Sequence, residues 1–271
     1  MGLGSDSLSS DRQQCRARGR TRRPGLFPLL FLCFLGCASS LPTPTYPASR
    51  FVLYTESPAG EAEAILLEAE SYLSSLEETL GLKAPPVGLL RIVHFRWRRD
   101  LWSYMGKELP DFRWRRGACF ETSQVYVLAL SGRPGQERFQ RILRHELTHF
   151  LLISHFSDFP PWIDEGLAQV LSDGPTFPCP GGGGSGTPES TEGSSEACQE
   201  LLGKQPGQSL TRSQYELARR ISLCLLIRSE DSISRLLRFL EISERNRDAR
   251  DIFLDAWGMS FEDTCAACVA R

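Results

Sequence analysis

The chain of 271 residues has no apolar run long enough to cross a bilayer as a helix. Its longest, Leu26 to Gly36, is about half of the ~20 residues required, which excludes a polytopic membrane protein. A dominant charge sign is missing too: 31 lysines and arginines face 33 acidic residues, for a formal net charge of −2. That balance argues against a protein built mainly to bind nucleic acid. Lysine is nearly absent, with Lys83, Lys107 and Lys204 the only three, and no functional conclusion follows from it. Histidine is scarce at four residues, so any ordered spacing among them is informative. What is present, 41% hydrophobic and 24% charged residues, excludes wholesale disorder or a fibre and suffices for one or two globular domains with a core.

Six arginines, Arg12, Arg16, Arg18, Arg20, Arg22 and Arg23, precede the Leu26 to Gly36 run, and small residues follow at Ala38, Ser39 and Ser40. That order reads residues 1–36 as a signal peptide. Phe34-Leu35-Gly36-Cys37 resembles a bacterial lipobox, which implies lipidation at Cys37 and an exported, membrane-anchored protein of the cell envelope facing the periplasm or the outside. Ordinary cleavage after Ser40 is the other option. Beyond Cys37 lie Cys119, Cys179, Cys198, Cys224, Cys265 and Cys268. Their even number in an exported chain reads as disulfides, whose pairing is open. Cys265 and Cys268 form a CxxC with no second such motif, so a structural role is expected rather than a redox or zinc-knuckle one.

The pattern of the body is α+β. A linker occupies 37–50. Residues 51–172 read as a small mixed sheet with helices: a strand at Phe51 to Tyr54, an amphipathic helix from Ala59 to Leu80 stopped by Gly81, strands at Val87 to Phe95, Ala118 to Phe120 and Val125 to Leu130, then helices Gln136 to His155 and Trp162 to Leu171 separated by Pro160-Pro161. Residues 173–208, with four consecutive glycines and many Ser, Thr, Glu and Pro, read as a flexible insertion that Cys179 and Cys198 could close. Residues 209–271 read as a C-terminal helical subdomain of four helices, the last capped by Ser260. The duplicated Phe95-Arg-Trp-Arg-Arg99 and Phe112-Arg-Trp-Arg-Arg116 suit half-buried strands with a basic outer face, with anionic headgroups or single-stranded nucleic acid as the alternative use.

His145-Glu146-Leu-Thr-His149 falls inside a predicted helix. Four residues is about 1.1 turns, so both imidazoles project from one face toward a common point, where they can hold Zn²⁺ with Glu146 beside the metal's water. A third ligand is needed, and there are two candidates. Glu165 lies on the next helix, which the Pro-Pro turn can fold back. His155 has the metzincin spacing, but Leu152 stands where that pattern needs a helix-stopping glycine, and on a continuing helix His155 points away.

With Pro161-Trp-Ile-Asp-Glu-Gly-Leu-Ala168 following Arg144-His-Glu-Leu-Thr-His149, the chain resembles the gluzincin metallopeptidases, specifically the peptidase MA-like group of bacterial envelope proteins. The resemblance implies a zincin active-site helix, metal ligands His145, His149 and Glu165, Glu146 as general base, Zn²⁺ as cofactor and a peptide or protein as substrate. Tyr215 is a candidate donor to the oxyanion. Gln169 stands where thermolysin-like members carry an aspartate that orients a histidine, and the single asparagine, Asn246, excludes an asparagine-based substrate edge before the zinc helix. No nucleic-acid partner is expected and no oligomeric state follows. The reading from another class is a non-catalytic zinc-binding envelope lipoprotein acting as a binding or assembly module.

Overall fold

A computed structural model of the chain describes residues 45–48, 50–85, 90–108, 116–122, 125–173, 192–205, 208–227, 231–243 and 249–269. The signal peptide, Cys37 and Cys179 lie outside them. Within that set the protein is α+β, a five-stranded mixed sheet followed by a helical region. The strands β1 (Thr45–Pro47), β2 (Phe51–Thr55), β3 (Leu90–Phe95), β4 (Gly117–Glu121) and β5 (Tyr126–Ser131) lie in the order β1-β2-β3-β5-β4. β2, β3 and β5 run parallel, while the two edge strands are antiparallel to their neighbours. Strand β1 falls in the stretch expected as linker. Its pairing of Tyr46 with Leu53 supplies backbone bonds that composition does not announce.

Side chains alternate across the sheet as a two-residue period requires. Leu90 and Ile92 of β3 and Leu128 and Leu130 of β5 face one side, where they meet α1 (Ala59–Leu80) through Ile65, Ala69 and Leu73 and α3 (Glu137–His155) through Phe139, Leu143, Leu147 and Phe150. Val93, Val127 and Ala129 face the other side and pack on α2 (Arg98–Glu108) through Leu101 and Met105. Helix α1 ends at Gly81 with φ 67°, as its sequence predicts.

Helix α2 corrects one expectation. The first arginine-tryptophan segment is not a strand: Phe95 closes β3, Arg96 and Trp97 bend, and Arg98 opens α2. A helix brings Leu101 and Met105, four apart, onto the sheet, which an extended segment with a basic outer face would not do. Of the second copy, only Arg116 is described.

The helical region comprises α4 (Pro161–Ser172), α5 (Glu192–Leu202), α6 (Arg212–Ile227), α7 (Ser232–Ser243), α8 (Ala249–Trp257) and α9 (Phe261–Val269). Its core centres on Trp162 of α4, whose ring lies 5.1–6.4 Å from those of Phe239, Phe253 and Phe261. Helix α5 occupies part of the segment expected as flexible. Cys198 and Leu201 on it are buried, and Cys198 is bonded to Cys265 of α9 rather than to Cys179. Cys268 pairs with Cys224 of α6. Three residues apart on α9, the two CxxC thiols sit on one helical face and staple two different helices, which is a structural use. Cys119 carries a free thiol. The expected Ser260 cap forms, its Oγ accepting from the Asp263 N–H at 3.0 Å. Among the described residues no helix is long and apolar enough to cross a membrane.

Candidate metal centre

Helix α3 buries Leu143, Leu147 and Phe150 against the sheet and turns His145, Glu146 and His149 toward α4 and β4. It is anchored from the side by Tyr72 of α1, whose hydroxyl lies 2.8 Å from Thr148 Oγ1. Burial pushes that phenol up to about 12, so it stays a neutral partner. Arg144 on the preceding turn donates to Glu68 Oε1 at 2.6 Å. The chain leaves α3 at Phe156, and Pro161 occupies the first turn of α4, where a missing N–H costs no helical bond. Helix α4 then packs back along α3.

This return brings together His145, His149 and Glu165, whose ligand atoms all lie within 4.8 Å of one another. His145 Nε2 and His149 Nε2 are 3.1 Å apart. Glu165 Oε2 lies 3.4 Å from the first and 3.6 Å from the second. Tetrahedral zinc with bonds of about 2.0–2.2 Å sets its ligand atoms roughly 3.3–3.5 Å apart, so this donor set of two imidazole nitrogens and one carboxylate oxygen fits the ion in both chemistry and spacing. His155 is not part of the group. Helix α3 runs on without a break, and the His155 ring turns to the Leu151 carbonyl, 2.9 Å from Nδ1. His94 is a core residue between Thr55 Oγ1 and the Gly132 carbonyl, at 2.9 Å from each, and burial lowers its pKa.

The candidate ligands are themselves oriented. Asp164 Oδ1 lies 2.6 Å from His149 Nδ1. An ionised carboxylate only accepts, so Nδ1 carries the hydrogen and Nε2 faces Glu165 and His145. Burial by itself would lower the His149 pKa, but the Asp164 and Glu165 carboxylates hold it well above the usual imidazole range. Burial would likewise raise Glu165, and the two histidines hold it well below the usual carboxylate range. The carboxylates thus favour positive charge at His149, and the histidines favour negative charge at Glu165. Tyr215 of α6 donates to Glu165 Oε1 at 2.9 Å. Its O–H proton is thereby directed at a carboxylate, a use other than the oxyanion donation for which it is a candidate. Gln169, the residue in the aspartate position, donates to the Tyr215 carbonyl at 3.5 Å.

Two close approaches make this arrangement possible. A Cβ on Gly166 would lie 2.5 Å from the Ala218 carbonyl oxygen and would also strike Ser222 Oγ, so a side chain there would push α6, and Tyr215 with it, away from α4. A Cβ on Gly117 would lie 2.7 Å from Glu146 Oε1 and 2.8 Å from Ile142 Cγ2, so a side chain there would displace either the Glu146 carboxylate or the edge strand β4. Glu146 is 6% exposed and lines, with His145, Glu165 and Tyr215, a cleft of about 580 Å³. Arg116, Arg138, Arg141 and Arg219 surround it.

Sequence reasoning missed Asp164, Gly117 and the ring of arginines. Asp164 was legible in principle: a carboxylate beside Glu165 on a helix packed against α3 has a histidine within reach. The arginines come from three elements distant in sequence, and nothing local marks them as a group.

No family model matches the chain, and no curated protein matches it either. Among solved structures, one described as a "putative zinc-binding metallo-peptidase" from Bacteroides caccae is similar at 12% identity, covering 82% of this chain and 84% of that one, with a TM-score of 0.27. At that level the likeness carries no weight for function.

Proposed function

We propose that this chain is a zinc-dependent peptidase of the gluzincin type, in which His145, His149 and Glu165 hold the metal and Glu146 is the general base. The observation that carries the proposal is the convergence of the three ligand atoms, 3.1–3.6 Å apart, in a cleft lined also by a second, non-ligand carboxylate, that of Glu146. A purely structural zinc site is closed and has no use for Glu146 or for an open cleft.

Zinc bound there supplies Lewis acidity toward a peptide carbonyl and lowers the pKa of water to about 7. Glu146, beside both the histidines and the β4 backbone, takes the proton of the attacking water and delivers it to the leaving amine. Asp164 fixes the His149 tautomer. Tyr215 fixes the rotamer of Glu165, so the carboxylate presents Oε2 to the histidines without rearrangement. The signal peptide at 1–36 and the lipid anchor at Cys37 belong to the same reading, which places the enzyme in the cell envelope, acting on peptides or proteins there.

The test compares the wild type with Glu146→Gln for zinc content and for cleavage of a mixed peptide library. Equal zinc with cleavage reduced at least about 10³-fold is expected, in keeping with the weight of a general base acting with the metal. Equal zinc with no cleavage by either protein would instead establish the non-catalytic binding module.

A further inference from the structure

The four arginines around the cleft fall into two pairs. Arg141 and Arg219 share Asp173, with Arg141 Nε 3.2 Å from Oδ1 and Arg219 Nη2 3.4 Å from Oδ2, and Arg141 also meets Glu137 Oε1 at 3.1 Å. Arg116 and Arg138 have no acidic partner among the described residues. They do have each other: Arg138 and Arg98 crowd Arg116, which burial and this like charge together shift to a lower pKa. The remaining acids of the cleft, Glu146 and Glu165, are committed to the metal centre. Arg138 is exposed and Arg116 half-buried, so both guanidinium groups stand on the wall of the cleft within reach of solvent, with no protein carboxylate answering them among the described residues, and are open to an anion brought by a ligand.

Their placement says where that anion would sit. Arg116 immediately precedes Gly117, the residue whose missing side chain brings β4 against Glu146. Arg138, Ile142 and Glu146 follow one another at four-residue intervals along one face of α3. Eight residues of helix put Arg138 roughly 12 Å from Glu146 along the axis. Extended peptide advances about 3.3 Å per residue, so a substrate crossing Glu146 reaches the arginine pair about two to four residues from the bond that is cut.

We infer that Arg116 and Arg138 form a carboxylate subsite, and that the cleft selects peptides bearing an acidic group about two to four residues from the scissile bond. The inference rests on the peptidase reading for its scissile bond but not for its binding. Guanidinium groups offer forked donors that match a carboxylate. The carboxylate comes either from a Glu or Asp side chain or from the substrate's own C-terminus, and the second source would make the enzyme an exopeptidase.

Binding is measured on the zinc-loaded full chain carrying Glu146→Gln, so that turnover is not needed. The probes are fluorescein-labelled octapeptides, read by anisotropy at 150 mM salt. One is neutral with an amidated end, a set carries a single Glu at each position in turn, and one is neutral with a free C-terminus. At least one acidic peptide should bind about tenfold or more tightly than the neutral amide. Adding Arg116→Gln and Arg138→Gln together should reduce that advantage below about twofold with zinc retained, while Arg235→Gln, which removes the same charge from an exposed position on α7, should preserve it. A gain confined to the free-acid peptide, or one confined to the Glu series, supports the subsite and names its source. No acidic advantage, an advantage that survives the double substitution, or arginine-dependent binding of an oligo-dT strand in place of the peptides overturns it. If the wild type cleaves nothing but this binding pattern holds, the subsite stands and the peptidase proposal fails. If the wild type cleaves without acidic preference, the reverse is true.

Discussion

The two halves of the candidate centre are held by different kinds of packing. His145 and His149 ride on a helix pressed against a sheet, whose core is aliphatic and phenylalanine-rich and whose polar face opens onto the cleft. Asp164 and Glu165 ride on α4, a helix with nine buried residues among its twelve, held in place by an aromatic cluster and by helices that two disulfides join. The first half presents its ligands because the helix is amphipathic. The second must bury Glu165 and partly bury Asp164 beside it, and it does so because His145, His149 and Tyr215 meet them. The histidine side is therefore the scaffold, and the carboxylate side is the part whose position depends on the distant helices.

The largest way to break that comparison is to empty the aromatic cluster. Trp162→Ala should cost about 3–5 kcal/mol of stability, the range for a fully buried large aromatic. It should also weaken zinc binding, because the two acids sit two and three residues further along the same helix. A melting curve paired with a zinc titration checks both, and lost stability with unchanged zinc affinity would show that α4 is positioned without the cluster. A smaller effect is expected at Asp164. Asp164→Asn keeps the shape but removes the charged acceptor from His149, and zinc affinity should fall about 10- to 100-fold. Competition with a chelator of known affinity reads it.

The smallest prediction concerns the sheet side alone. Glu77 of α1, 5% exposed, accepts from Arg50 Nη2 and from the Ala84 N–H, each at 2.6 Å. Burial opposes its charge, yet these donors hold its pKa below the usual carboxylate value. A lowered pKa in the folded state gives stability that is present above the unfolded value of about 4.3 and is lost as pH falls through the folded value. Glu77→Gln should accordingly cost about 1–2 kcal/mol near pH 7 and progressively less below about pH 4. Zinc affinity should not change at neutral pH. A pH series of melting temperatures for both proteins tests it.

The same contrast explains how much was legible beforehand. In the sheet half, the short apolar runs of β3 and β5, bounded by turn residues and buried on both faces, and the 3.6-residue period of α1 and α3, each of which buries one face, marked the elements directly. Helix α2 was hidden by arginine-tryptophan alternation, which mimics a strand where Leu101 and Met105 obey a helical period. In the helical half the individual helices from Arg212 onward were readable, but their arrangement was not. Fifteen pairings were open to six cysteines, and neither the Cys198–Cys265 link nor the ordering of α5 that accompanies it has a local signal. At the centre, His145, Glu146, His149 and Glu165 stood out by spacing and by likeness to a motif. Asp164 and Gly117 matter only through partners on other elements, so they became visible when α3, α4 and β4 were seen together.

The account turns on a divalent ion shared between α3 and α4, and metal content tests it most directly. Wild type, Glu165→Ala and His155→Ala are purified from zinc-supplemented medium, dialysed, checked for folding by circular dichroism and assayed by elemental analysis. The account predicts about one zinc per chain in the wild type and in His155→Ala, and a loss of at least nine-tenths of it in Glu165→Ala. A folded wild type without zinc, or a Glu165→Ala protein that keeps it while His155→Ala does not, would contradict the account.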